Sequence, residues 1–250
     1  MVTVDNRAIY DENWSRWLDM KRLGPASRWL RSLIHDQVCA IKKRGNIASI
    51  LDVGCGEGTI TWDLAKYFRD AQTTGIDFSS AGIDCARASY SLPRLRYLHD
   101  VTSQALDDRY DLVTAFEVLE HVEDWQDLLG RMAAAARQFV LVSFPLGRMR
   151  PFEVHVGHLR NFRRGEVEEF MRSKGFRPEQ IFQAGFPFYS PLYREACNLT
   201  DSASNSFTTG EYGAPQKIVA GVLYSLFRFA STRRRLGDQF CGLFRRDDAP

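Results

Sequence analysis

The stretch Ile50-Leu51-Asp52-Val53-Gly54-Cys55-Gly56-Glu57-Gly58 constrains this chain more than any other. The apolar residues Ile47, Ile50, Leu51 and Val53 read as a short buried strand. Three glycines at alternate positions follow, and Thr59 to Phe68 then has the apolar spacing of a helix. Strand, glycine turn and helix in that order make backbone N–H groups and a helix N-terminus face a ligand. A side chain on these glycines would block close approach or strain a turn that needs unusual φ and ψ. Asp52 stands just before them, placed to accept hydrogen bonds from a ligand's amine or from the turn itself. The stretch predicts a pocket of nucleotide type.

The spacing is G-x-G-x-G, not the G-x-G-x-x-G that cradles a dinucleotide pyrophosphate. A pyrophosphate needs a helix dipole and several free amides. S-adenosylmethionine has no phosphate and presents an amino acid, a sulfonium and a nucleoside. Thr73 to Phe78 reads as a second strand closing on Asp77. That acid lies about twenty residues past the last glycine, where a carboxylate meets ribose hydroxyls. A third strand, Leu95 to Leu98, ends at His99-Asp100-Val101, where a carboxylate can take an adenine amino group. A fourth, Tyr110 to Phe116, runs into Glu117-Val118-Leu119-Glu120-His121-Val122.

The runs LDVGCGEG, GIDFS, HDVT and YDLVTAFEVLEHV, in this order within residues 45–185, resemble the successive motifs of class I S-adenosylmethionine-dependent methyltransferases. Within the class, EVLEHV and the later H-x-x-H-L-R-N-F are similar to small-molecule and glycan methyltransferases, the ubiquinone-type O-methyltransferases included. The resemblance implies S-adenosylmethionine as cofactor and S-adenosylhomocysteine as product. It implies contacts from Gly54, Cys55 and Gly56 to the methionine end, Asp77 and Phe78 to ribose and adenine, and Asp100 and Val101 to adenine. Phe116, Glu117 and Val118 would lie beneath the sulfonium. In related methyltransferases an aromatic N-terminal segment folds over the cofactor, and Tyr10 is the candidate lid residue. Plain packing of that segment is the alternative.

Strand and helix patterns alternate from residue 47 to residue 144, which argues a parallel sheet covered on both faces. The expected fold is α/β: a Rossmann-like, seven-stranded, mostly parallel sheet with helices on both faces. An N-terminal helical lid and a helical insertion between strands six and seven complete it. The expected divisions are a lid at 1–45, a cofactor-binding core at 46–184, a cap for acceptor recognition at 185–236, and a last strand with its tail at 237–250. A helix is expected over 27–41, a loop over 149–162, a helix over 164–174, strand six over 176–184 and strand seven over 238–245. The insertion carries an aromatic stretch, in which Tyr189 and Tyr193 are candidates for stacking on the acceptor. Its second half is a helix over 217–229, apolar at Ile218, Val219, Val222, Leu223, Leu226 and Phe227, and followed by Arg228 and Arg233 to Arg235. Such a segment can lie in a membrane interface. Burial of its apolar face against the domain is the favoured reading.

A formal net charge of +2 gives no electrostatic case for nucleic acid as a partner. Five scattered cysteines without C-x-x-C fit a reducing compartment rather than a disulfide framework or a zinc site. With no apolar signal segment at the N-terminus, the expectation is a cytoplasmic protein acting on a small-molecule or glycan acceptor, of no assigned oligomeric state.

Methyl transfer from a sulfonium is an in-line displacement, in which aligning nucleophile and methyl carbon is a large share of catalysis. An oxygen nucleophile also benefits from a base, which makes His121 and His155 the candidate catalytic residues. His158, ahead of Arg160 and Phe162, reads as an anchor of the loop that faces the acceptor. A metal held by His155 and His158 with Glu117 or Glu120 lacks a third ligand of fixed spacing, so no obligatory metal is expected. N- or C-methylation, a cofactor-binding subunit without activity, and a nicotinamide-dependent oxidoreductase are the rival readings.

Overall fold

The computed structural model describes residues 14, 18–100, 104–199 and 210–248. Seven strands form one sheet: β1 Ser49–Val53, β2 Gln72–Asp77, β3 Leu95–His99, β4 Tyr110–Phe116, β5 Ala136–Pro145, β6 Phe176–Ala184 and β7 Gln239–Arg246. Their order is β3-β2-β1-β4-β5-β7-β6. The pairs among β1 to β5 are parallel, and β7 runs antiparallel to both β5 and β6. The winding reverses between β1 and β4. Ligands of open α/β sheets sit beyond the carboxyl ends of the strands at such a reversal.

Alternation along the strands assigns residues to two cores. Leu51, Val53, Val113, Ala115, Val140 and Val142 face one side of the sheet. There they meet Trp125, Leu129 and Met132 of the helix Trp125–Ala135, and Val167 and Met171 of the helix Glu166–Ser173. Ile50, Leu112, Leu141 and Leu243 face the other side, against Trp29, Leu33, Ile34, Val38 and Ile41 of the helix Pro25–Lys42. That helix starts with proline, whose fixed φ suits the first turn, and presents these residues at spacings of three and four. Gly58 leads into the helix Thr59–Tyr67, and the Ser79 hydroxyl caps the helix Ser80–Ser89 by accepting from Gly82 N.

Two expectations need correction. The span 149–162 is not wholly loop, because Pro151–His155 is a short helix. Pro151 sits in its first turn, and the carboxylate of Glu153 accepts from Arg150 N at 2.6 Å. The apolar helix of the insertion, Ala214–Ser225 continued by Leu226–Ala230, is half buried rather than buried along its apolar length. Ala220 and Phe227 are covered, while Ile218 is 68% exposed, Val222 57% and Phe229 79%. Arg228 and Arg233 do not form a free basic cluster: both pair with Asp36 of the helix Pro25–Lys42, at 3.0 and 2.8 Å.

The insertion is held to the sheet by aromatic packing. Trp29 is 1% exposed, with the ring centroid of Tyr189 at 4.4 Å and that of Phe227 at 5.9 Å. Replacing Trp29 by Ala is expected to cost about 3–5 kcal/mol in urea denaturation. A loss below about 1 kcal/mol would show that the insertion does not depend on this wedge.

Asp52 turns away from the glycine turn. Its carboxylate accepts from Thr61 Oγ1 at 2.6 Å and Thr114 Oγ1 at 2.7 Å. Burial raises its pKa to about 6 in spite of these two bonds, with the charges of Asp77 and Glu57 adding to the rise. The folded state therefore holds a proton that the unfolded chain has already released. Its contribution to stability is full below the unfolded pKa and is lost as pH rises through about 6. Asp52→Asn keeps partners for both threonines and cannot ionise. The variant is expected to gain about 2–3 kcal/mol on the wild type between pH 4 and pH 7. A pH-independent difference between the two proteins would contradict this.

Candidate cofactor and acceptor site

The three turn glycines have left-handed backbone, with φ of +69° at Gly54, +52° at Gly56 and +86° at Gly58. A Cβ at Gly54 would overlap the side chain of Val118, and one at Gly56 would overlap the ring of Trp14. Amides of Gly54 and Cys55 donate to Ile76 O at 2.8 and 2.9 Å. The turn is thus folded back on the end of β2. Asp77, 6% exposed, accepts from Gly56 N and from Ser79 N, both at 2.8 Å. One carboxylate therefore fixes the glycine turn and the start of the next helix together. Burial pushes the Cys55 thiol well above its ordinary range, so it fills space rather than reacts.

Of the residues expected at the cofactor, the candidate lid residue Tyr10 and the adenine contact Val101 lie outside the described residues. Phe78 is half-buried and its carbonyl accepts from His99 Nε2 at 2.9 Å. The Asp100 carboxylate accepts from the amides of Gln104 and Ala105 at 3.1 and 2.9 Å, which caps the turn Gln104–Asp107. Trp14 is 6% exposed, and the Lys21 ammonium stands 5.6 Å from its ring centroid. Arg22 donates to the Tyr90 hydroxyl at 3.0 Å.

Opposite the glycines, β4 ends in buried Phe116 and then Glu117, whose φ of +56° is unusual for a residue with a side chain. Glu117 Oε1 accepts from Ser143 Oγ at 2.7 Å and Gln239 Nε2 at 2.8 Å. Gln239 Oε1 in turn accepts from the Tyr189 hydroxyl at 3.3 Å. Burial raises the Glu117 pKa, and these donors oppose the rise. A continuous path of hydrogen bonds thus runs from the insertion to the end of β4. Tyr189 is held in an aromatic group with Trp29, Phe227 and Tyr193, the last with its centroid at 6.0 Å.

The two candidate bases separate. His155 ends its short helix exposed, outside the group that the structure assembles. His121 is instead brought to His158, with ring centroids 4.7 Å apart and planes nearly perpendicular. Its Nδ1 lies 3.0 Å from Gly157 O. Burial, and after it the neighbouring His158, lower the His121 pKa to about 4, and burial also brings His158 to about 4. Both rings are neutral at pH 7. Glu120 is fully buried beside them, its pKa raised by burial and by the charge of Glu117.

Sequence reasoning missed a buried ionic group at the base of the insertion. Arg150, 3% exposed, pairs with Glu195 at 2.8 Å and Asp238 at 3.1 Å, and Arg194 pairs with Glu153. Ser190 donates to Asp238 at 2.5 Å. These residues are scattered over three segments, and no spacing announces them. Gln239 and Ser143 were missed for the same reason.

A family model described as a methyltransferase domain matches residues 51–138. The chain is 40% identical over 137 residues to the mitochondrial ubiquinone biosynthesis O-methyltransferase of Schizosaccharomyces pombe, covering 51% of this chain and 49% of that protein. It is 32% identical over 130 residues to the ubiquinone biosynthesis O-methyltransferase of Serratia proteamaculans, covering 48% and 52%. The chain thus matches about half the length of these relatives. Magnesium protoporphyrin IX methyltransferase from Synechocystis PCC 6803, solved with S-adenosylmethionine bound, has the same fold at a TM-score of 0.61 and 14% identity, over 98% of this chain and 99% of that one. Residues 51–138 thus match a methyltransferase domain, and the chain has the fold of a methyltransferase solved with S-adenosylmethionine.

Proposed function

We propose that the protein transfers the methyl group of S-adenosylmethionine to an oxygen of a small-molecule or glycan acceptor. The observation that supports this reading is the glycine turn after β1, fixed by Asp77 and packed so closely that a Cβ at Gly54 would overlap Val118 and one at Gly56 would overlap Trp14. Gly54 to Gly56 would hold the methionine end and Asp77 with Phe78 the nucleoside, with Phe116 to Val118 beneath the sulfonium. Bound there, the cofactor supplies an electrophilic methyl group. The protein's own part is to align the acceptor and exclude water. The likeness to ubiquinone biosynthesis O-methyltransferases supports oxygen as the accepting atom.

In this reading residues 1–45 cover the cofactor and residues 185–236 form the acceptor cap, with Tyr189 and Tyr193 at its base. Ile218, Val222 and Phe229 are exposed on the cap, as are Lys217, Arg234 and Arg235. Apolar and basic groups on one segment support peripheral contact with an anionic membrane and an amphipathic acceptor. Among the described residues no helix is long and apolar enough to cross a membrane.

Labelled methyl transfer from S-adenosylmethionine to a panel of catechols, prenylated phenols and sugars tests the activity. Transfer to at least one oxygen acceptor is expected, and its absence across the panel with the cofactor bound would favour a non-catalytic binding role. The exposed His155 is not expected to take part: His155→Ala should leave kcat/KM unchanged within error. A drop of about tenfold or more would return His155 to the reaction.

A further inference from the structure

Two segments far apart in the chain each send a cation toward Glu117 at the end of β4. Lys21 comes from the helix Leu18–Leu23, and Arg194 begins the helix Arg194–Leu199 of the insertion. Both charges favour the ionised form of Glu117, and both act on Glu120 as well. The N-terminal helix and the insertion are therefore gathered over one place, where Phe116 to Val118 are assigned to the sulfonium.

The N-terminal helix is seated on the donor side. Trp14, just ahead of it, packs its ring over Gly56, and a Cβ at Gly82 would come within 2.9 Å of its Nε1. Arg22 donates to the Tyr90 hydroxyl at 3.0 Å, and that hydroxyl lies 2.8 Å from Thr59 Oγ1. Thr59 is the first residue of the helix that follows the glycine turn. Tyr90 thus bridges the N-terminal helix and the turn. The same helix reaches the insertion. Asp19 Oδ2 accepts from Tyr212 N at 2.7 Å, although 193 residues separate the two. Tyr212 is 3% exposed and stands ahead of the helix Ala214–Ser225, whose N-cap is Gly213. A carboxylate makes a stronger bond to a backbone amide than a neutral acceptor does, and this one holds the start of that helix. Near its end, the Arg28 guanidinium lies 4.3 Å from the ring centroid of Tyr224.

We infer that Asp19 is a positioning residue, which sets the acceptor cap in place when the methyl donor fills its pocket. The inference rests on the donor pocket and the cap proposed above. Donor binding orders the glycine turn, Tyr90 and Arg22 pass that order to the N-terminal helix, and Asp19 passes it to Tyr212. Binding of the donor and ordering of the cap then share one coupling free energy, so each favours the other. The donor enters first, and the acceptor meets a cap already in place. Such a cap aligns the acceptor oxygen with the methyl carbon and keeps water out.

Hydrogen–deuterium exchange of the full chain, with and without S-adenosylhomocysteine, tests the coupling. In the wild type the ligand is expected to slow exchange at 54–58, 18–23 and 212–225 together. In Asp19→Ala the slowing should persist at 54–58 and shrink by about tenfold at 212–225. Asp19→Asn, which keeps an acceptor oxygen for Tyr212 N, should restore it. A purely structural role for Asp19 would speed exchange at 212–225 equally with and without ligand, and that unchanged ratio would overturn the inference. So would slowing at 54–58 in the wild type that leaves 212–225 untouched, a result that needs no variant to fold. Absence of slowing at 54–58 would instead sink the donor pocket, and the coupling with it, so the two failures are distinguishable.

Discussion

The pair of hydrogen bonds from Gly56 N and Ser79 N to Asp77 is the constraint on which the pocket depends. Positive φ at three alternate glycines is a shape the backbone adopts at little cost but does not adopt uniquely. The carboxylate selects one arrangement by bonding the turn to the end of β2. Because it also bonds the first residue of the next helix connection, the turn and the second βα junction move as one unit. A ligand entering here meets preorganised backbone, so little ordering cost opposes its binding.

The second organising element is the path from the insertion to the end of β4. Tyr189, Gln239, Glu117 and Ser143 are hydrogen-bonded in series, and each lies on a different element. Below the tyrosine, Trp29 and Phe227 fasten the insertion to the helix Pro25–Lys42. Movement of the insertion is therefore coupled to the conformation of Glu117, which already holds an unfavourable φ. Strained backbone of this kind gathers at functional sites.

What was legible in the sequence was local. Strand six at Phe176–Ala184 stands between Gly175 and Gly185, and β4 at Tyr110–Phe116 is an apolar run too short for a helix; both have the predicted bounds. The turn glycines and Asp77 could be read because their chemistry depends on neighbours within one βαβ unit. The helix Ala214–Ser225 and its continuation could not be read fully because they are apolar on several faces: Ala220 and Phe227 turn inward while Ile218 and Val222 face out. Periodicity names a face only when another face is polar. The meeting of His158 with His121 could not be read because it depends on backbone bonds between distant loops. Asp52, expected at the ligand or the turn, is taken by two threonine hydroxyls, one from a helix and one from β4.

Calorimetric titration with S-adenosylmethionine and with NAD, on the wild type and on Asp77→Asn, tests the central claim most directly. The account predicts one site for S-adenosylmethionine, no measurable heat with NAD, and affinity reduced by about tenfold or more in Asp77→Asn, whose amide can accept at one end but not at both. Binding of NAD in place of the methyl donor, or affinity for S-adenosylmethionine indifferent to the Asp77 change, would contradict it.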